Sequence, residues 1–226
     1  MDRLPGYKGP VDFGPEADGV LLRGTAGLRK FPRVPTGLPW LDEGLGGGYP
    51  QGMMTVLYGD DEAVFGILSK SPGDWPGGRS WVCPAEFAGR PDGSFKCARL
   101  REALDRAGQL SAPGKGGLVV VEAVHAYDSG DEPVYRPLSS FLRRWMAEKQ
   151  KFFEDADPPT VVLTTSVRTS KNWVNGRIRR IPYGTELLGA IGSAVAEVRS
   201  AGPGEGWCAV SKHPDSPIHT EVRGPF

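Results

Sequence analysis

Residues 57–68 read LYGDDEAVFGIL, from Leu57 to Leu68. The residues before them, Met53-Met54-Thr55-Val56-Leu57-Tyr58, form a short apolar run of the kind found in a strand buried on both faces. Val64 to Ser69 opens a helix, stopped by Pro72-Gly73. Strand, glycine, helix is the frame in which backbone N–H groups can cradle a phosphate. Here the connection instead carries three successive acids, Asp60, Asp61 and Glu62, with no lysine and no Ser/Thr behind it.

Outward from this stretch, strand and helix signals alternate. Upstream, Thr36 is placed to cap a short helix carrying Leu38, Leu41 and Leu45, ended by Gly46-Gly47-Gly48. Downstream, Ser80-Trp81-Val82-Cys83 reads as a second strand. Phe95 to Ala107 reads as a helix with Leu100, Ala103, Leu104 and Ala107 on one face. Leu118-Val119-Val120-Val121 is the clearest buried strand. Pro137 suits a helix start, with Leu138, Phe141, Leu142, Trp145 and Met146 continuing the stripe. Val161-Val162-Leu163-Thr164 is a further strand, and a basic loop follows it. Ile191 to Arg199 and Trp207 to Lys212 alternate as an antiparallel pair does. This order predicts an α/β fold: a mainly parallel twisted sheet flanked by helices, closed by a C-terminal antiparallel hairpin. Residues 1–33, rich in Gly and Pro, read as an extended arm, and 34–226 as one core domain.

Four segments in this order resemble the core of the RecA/RadA-type recombinases, a P-loop NTPase superfamily. PTGLPWLDEGLGGGYPQGMMTVLYG looks like the lead-in to the first core strand and the Walker A loop. GSFKCARLREALDRAG is similar to the helix after the second strand, and GGLVVVEAV stands where the Walker B strand belongs. VVLTTSVR, IPYGTELLGAIGSAVAEVRS and AVSKHPDSP resemble the end of the core. The likeness spans roughly residues 34–222.

The resemblance also shows what this chain lacks. Gly59 matches the first Walker A glycine, but the later glycine is replaced by Val64, the lysine by Phe65 and the Ser/Thr by Gly66. That lysine neutralises the β/γ-phosphates and the hydroxyl holds Mg²⁺. Two like charges about 4 Å apart repel by about 4 kcal/mol at an effective dielectric of about 20. Asp60, Asp61 and Glu62 therefore oppose a triphosphate, and a cap on the following helix is their ordinary role. Glu122 stands at the Walker B aspartate. Glu86, or else Asp92, falls where the family carries the glutamate that polarises water, and Ser166 replaces the sensor glutamine. The resemblance thus implies a degenerate site, with no cofactor expected; ATP and Mg²⁺ belong here only if the non-standard loop works. No metal site is read from the acids.

Residues 168–181 read RTSKNWVNGRIRRI. Arg168, Lys171, Arg177, Arg179 and Arg180 stand there without an acid among them, and Trp173 lies in the middle. Cations follow phosphates and an aromatic face stacks a base, so the loop suits single-stranded DNA. The family's DNA-contacting loop lies at this position. Lys212 falls in the family's terminal turn, and Phe13 or Phe31 could dock a neighbouring subunit. His125 and His219 have no partner legible in the sequence.

Bulk composition narrows the classes. The 226 residues carry 27 Lys+Arg against 27 Asp+Glu, so any nucleic-acid site is a local patch. No apolar run is long enough to span a membrane, and MDRLPGYKGP lacks a signal-peptide core, so a cytoplasmic protein is expected. Cys83, Cys97 and Cys208 are widely spaced and read as reduced thiols. Few amides beside 21 prolines suit a thermophilic source or a GC-rich gene alike. Three functions stay open. One is a non-hydrolysing recombinase paralogue, monomeric or weakly oligomeric, that binds single-stranded DNA or assists an active recombinase or another replication or repair protein. The second is a protein–protein adaptor, as ImuA-like factors are. The third is a DNA-dependent ATPase with an unusual phosphate loop.

Overall fold

The computed structural model describes residues 32–70, 77–128, 133–152, 157–171, 178–183, 188, 192–212, 214 and 220–225, with backbone alone at 149–152, 170–171, 178–179 and 220. Residues 1–31 of the expected arm 1–33, with Phe13 and Phe31, lie outside them, as do Trp173, Arg177 and His219.

Two short strands, β1 (Arg33–Val34) and β2 (Tyr49–Pro50), pair antiparallel around helix α1 (Pro39–Gly44). Thr36 does not cap α1. Leu38 holds the N-cap position without a side-chain bond, and the Thr36 hydroxyl instead accepts from the Leu38 N–H at 3.2 Å, making a local turn two residues earlier.

The main sheet is ordered β11-β10-β9-β3-β7-β6-β4-β5, with β8 paired to β7. Its strands are β3 (Met54–Gly59), β4 (Arg79–Pro84), β5 (Phe95–Cys97), β6 (Leu118–Val121), β7 (Thr160–Lys171), β8 (Ile178–Pro182), β9 (Ala194–Gly202), β10 (Glu205–Lys212) and β11 (Thr220–Pro225). From β9 through β5 every neighbour is parallel, while β10 and β11 add the antiparallel edge. This is the α/β architecture expected from the alternation of signals.

Helices α2 (Asp61–Lys70), α3 (Leu100–Leu110) and α4 (Tyr135–Phe152) complete the layers. Alternation along each central strand feeds two cores. Met54, Val56 and Tyr58 of β3, with Val119 and Val121 of β6, pack under Leu100, Leu104, Leu138 and Phe141 of α3 and α4. Leu57, Val120 and Val162 pack on the other face with Leu41 of α1 and Ile67 and Leu68 of α2.

Four local expectations change. Phe95–Cys97 is a strand, because Val82, Cys83 and Pro84 offer it a parallel edge, so helix α3 starts only at Leu100. α2 begins at Asp61, three residues before the apolar face that marks it in the sequence. The described parts of the basic segment are strands, not loop. β7 continues through Lys171 and β8 returns antiparallel, with Arg168 opposite Ile181 and Thr169 opposite Arg180. The terminal region holds β11 in addition to the expected pair, and Trp40 of α1 closes its edge by donating Nε1–H to the Pro225 carbonyl at 2.8 Å. Among the described residues no helix is long and apolar enough to cross a membrane.

Candidate functional site

The carboxyl ends of the parallel strands form one edge, where open α/β sheets place their ligands. β3 ends there at Gly59, in register with Ser166 of β7 and Val198 of β9. Gly59 is buried, and a Cβ on it would overlap the Val198 carbonyl oxygen. Its lack of a side chain lets β9 lie against β3, a packing role that operates without a ligand.

One residue, Asp60, separates β3 from α2. The Asp60 carbonyl accepts from the Val64 N–H at 2.9 Å, so it already closes the first helical turn. Asp61 and Glu62 are exposed in that turn, where acids complement the helix dipole. The carboxylates at this junction also reach beyond the helix. Asp61 Oδ2 is 3.5 Å from His125 Nε2, and Asp60 Oδ1 is 3.7 Å from Arg180 Nη2. His125, unassigned in the sequence, takes the Ser166 N–H on Nδ1 at 2.9 Å and lies edge-on to Tyr183.

Phe65 and Gly66 are half-buried within the helix. The Phe65 ring meets Trp81 edge-on with centroids 5.9 Å apart, and the Arg90 guanidinium lies 4.0 Å from its centre. Arg90 comes from the loop between β4 and β5 and is also 4.8 Å from the Phe87 ring. It grips Glu122, donating from Nε to Oε2 at 2.8 Å and from Nη2 to Oε1. Trp81 Nε1–H adds a bond to Oε2 at 2.8 Å. Both carboxylate oxygens of Glu122, a residue 4% exposed, are therefore engaged. Beyond Glu122 the chain bends at Ala123, whose φ of 51° is left-handed, and the Ala123 N–H is held by Thr164 Oγ1 at 2.7 Å.

Glu86 and Asp92 lie exposed on either side of Arg90, in the turns that follow β4 and precede β5. It is the arginine between them that reaches Glu122. The sequence reading missed Arg90 because an arginine among glycines and prolines looks solvated.

A second cluster sits at the same edge. Glu197 of β9, 6% exposed, accepts from Arg180 Nε at 2.5 Å and from Arg199 Nε at 2.7 Å. The Arg199 guanidinium covers the Trp207 ring at 4.3 Å. Burial, then the Glu197 charge, pushes the neighbouring Tyr58 hydroxyl up to about 12. Glu197 carried a signal in the sequence: an acid within the apolar strand AVAEV needs a cation if it is buried. Arg168 and Thr169 are exposed on the β7–β8 ribbon, and Lys171 and Arg179 lie in its strands. Lys212 ends β10 opposite Val195.

No protein-family model matches the chain, and no curated protein matches it. Among solved structures it is similar to the crystal structure of the RadB recombinase, with a TM-score of 0.61 and 16% identity. The match covers 85% of this chain and 95% of that one. The chain has a RecA-like fold. At that identity the likeness is one of fold, and the chemistry has to be argued from the residues. One residue stands between β3 and α2, Phe65 lies in the first turns of α2, and the Glu122 carboxylate is held by Arg90 of the same chain. These residues do not fit a Mg²⁺-bound triphosphate.

Proposed function

We propose that this is a RecA-fold protein of DNA recombination, repair or replication that does not turn over ATP and that engages single-stranded DNA through the β7–β8 ribbon. The observation that carries the first half is the Arg90–Glu122 pair packed on Phe65. A metal at Glu122 would have to displace a guanidinium that also stacks on two aromatic rings. A triphosphate would face Asp60, Asp61 and Glu62 without a lysine beside them. Supporting the second half are the five cations of the segment 168–181, with Trp173 among them and no acid. A monomer or weak oligomer follows where no nucleotide is sandwiched between subunits.

One titration tests the reading. Labelled single-stranded DNA is added to the protein with and without ATP and Mg²⁺ at two salt concentrations. Binding that weakens with salt and ignores the nucleotide is expected. Binding that requires ATP and Mg²⁺ would restore the ATPase reading.

A protein–protein adaptor is the second reading, and the commitment of Arg180 to carboxylates favours it, since one cation of the ribbon is already neutralised. Capture of an active recombinase that survives Arg168→Ala would support the adaptor over the DNA binder.

A further inference from the structure

Resting on that reading of the ribbon, we propose that Arg180 is a positioning residue: clamped between Glu197 and Asp60, it fixes one face of the β7–β8 ribbon to the sheet edge and leaves the opposite face, which carries Arg168, to the phosphates of single-stranded DNA.

The antiparallel register sets the two arginines apart. Thr169 faces Arg180 and Arg168 faces Ile181, and successive residues of a strand point to opposite faces. Arg180 therefore belongs to one face of the ribbon and Arg168 to the other. On the first face, Arg180 Nε bonds Glu197 on β9, and Nη2 approaches Asp60 at the end of β3. One guanidinium thus ties β8 to β9 and to the residue that follows β3.

Releasing Arg180 to a phosphate would leave Glu197, 6% exposed, with Arg199 as its remaining charge-assisted donor among the described residues. The two carboxylates already offset the charge that a phosphate would meet. Arg168 is exposed on the face turned away from this cluster. At the root of the ribbon the Tyr183 N–H donates to the Ser166 carbonyl at 2.9 Å, so the clamp acts on a segment whose base is already paired.

Two readouts test the division of labour. Fluorescent oligothymidylate is titrated at a series of salt concentrations. Each phosphate that the protein no longer neutralises flattens the slope of log K against log salt by about 0.7 for a single strand. Arg168→Ala is expected to flatten it by about that amount. Arg180→Ala is expected to weaken binding several-fold at an unchanged slope; a slope that flattens as much as in Arg168→Ala overturns the assignment. Amide hydrogen exchange reads the clamp without DNA. Arg180→Ala and Glu197→Gln should each speed exchange of the β7–β8 amides by about tenfold, the factor a charge-assisted hydrogen bond carries, while Arg168→Ala leaves it unchanged. Unchanged exchange in both clamp variants refutes the clamp whatever the DNA result. Faster exchange in a chain whose wild type ignores oligothymidylate keeps the clamp and removes the DNA reading. Should Arg180→Ala not fold, Asp60→Asn at an exposed residue, beside Glu197→Gln, carries both readouts.

Discussion

Arg90 and Glu122, 32 residues apart in the chain, meet through paired hydrogen bonds at the carboxyl edge of the sheet. The Arg90 side chain is 14% exposed and that of Glu122 5%. A fork of two N–H groups on two oxygens fixes direction as well as charge. The aromatic rings of Phe65 and Phe87 add cation–π contact worth about 0.5–2 kcal/mol each. The loop between β4 and β5 is thereby anchored to the carboxyl edge of the sheet.

Removal of Arg90 leaves an almost buried carboxylate without its counter-charge. Arg90→Ala is expected to cost about 3–5 kcal/mol in urea unfolding. The double variant Arg90→Ala with Glu122→Leu is expected to regain at least half of that, since no buried charge then remains. Additive losses would show that the two residues act independently.

A lysine at 65 and a threonine at 66 are not expected to create nucleotide affinity. Phe65→Lys with Gly66→Thr removes neither the helix that begins at Asp61 nor the Arg90 guanidinium bound to Glu122. Millimolar ATP with Mg²⁺ should move the melting temperature by less than about 1 °C. A stabilisation of about 2.7 kcal/mol, expected at a ligand concentration of about 100 Kd, would refute this.

Gly59→Ala tests the packing role of the glycine. The added methyl falls on the Val198 carbonyl, in the backbone of a neighbouring strand that cannot rotate away. The expected loss is about 3 kcal/mol or more, read as a shift of the denaturant midpoint or as failure to fold. A loss below about 1 kcal/mol would mean that β9 shifts freely against β3.

Alkaline pH should destabilise the fold. Burial, then the Glu197 charge, holds the Tyr58 hydroxyl up near about 12 from 10.0, and burial, then Glu197, holds the Cys208 thiol up near about 12 from 9.0. In both, the unfolded chain releases its proton first, so the contribution is complete below the unfolded value and lost as pH rises through the folded one. The window is pH 10 to 12 for Tyr58 and pH 9 to 12 for Cys208. Tyr58→Phe should lose less stability than wild type between pH 10 and 12 in urea midpoints; identical slopes would place the hydroxyl in solvent.

The three cysteines are free and buried, and burial raises all three thiols. A maleimide should label none of them within minutes at neutral pH, and all three once denaturant unfolds the chain.

The layers of the sheet were written in local pattern. Leu118–Val121 and the run ending at Tyr58 are apolar because both faces of those strands are covered, and that need acts residue by residue. The stripe Leu100, Ala103, Leu104, Ala107 repeats at helical spacing for the same reason. Elements that depend on a neighbour were not legible. Phe95–Cys97 is three residues long and becomes a strand because β4 lies beside it. Residues 168–171 and 178–181 look like solvated loop because their cations mask an extended pairing that only the register reveals.

The sequence by itself determined the central strands, the helices that cover them and the side chains that follow the first core strand, where Phe65 and Gly66 stand in the text of the chain. Only the tertiary structure decided which charges meet. Arg90 for Glu122, and Arg180 with Arg199 for Glu197, are pairings across strand order. Hydrophobic period is a property of neighbours in the chain, whereas the partner of a buried charge is whichever cation the sheet brings within about 3 Å, and spacing along the chain carries no record of that distance.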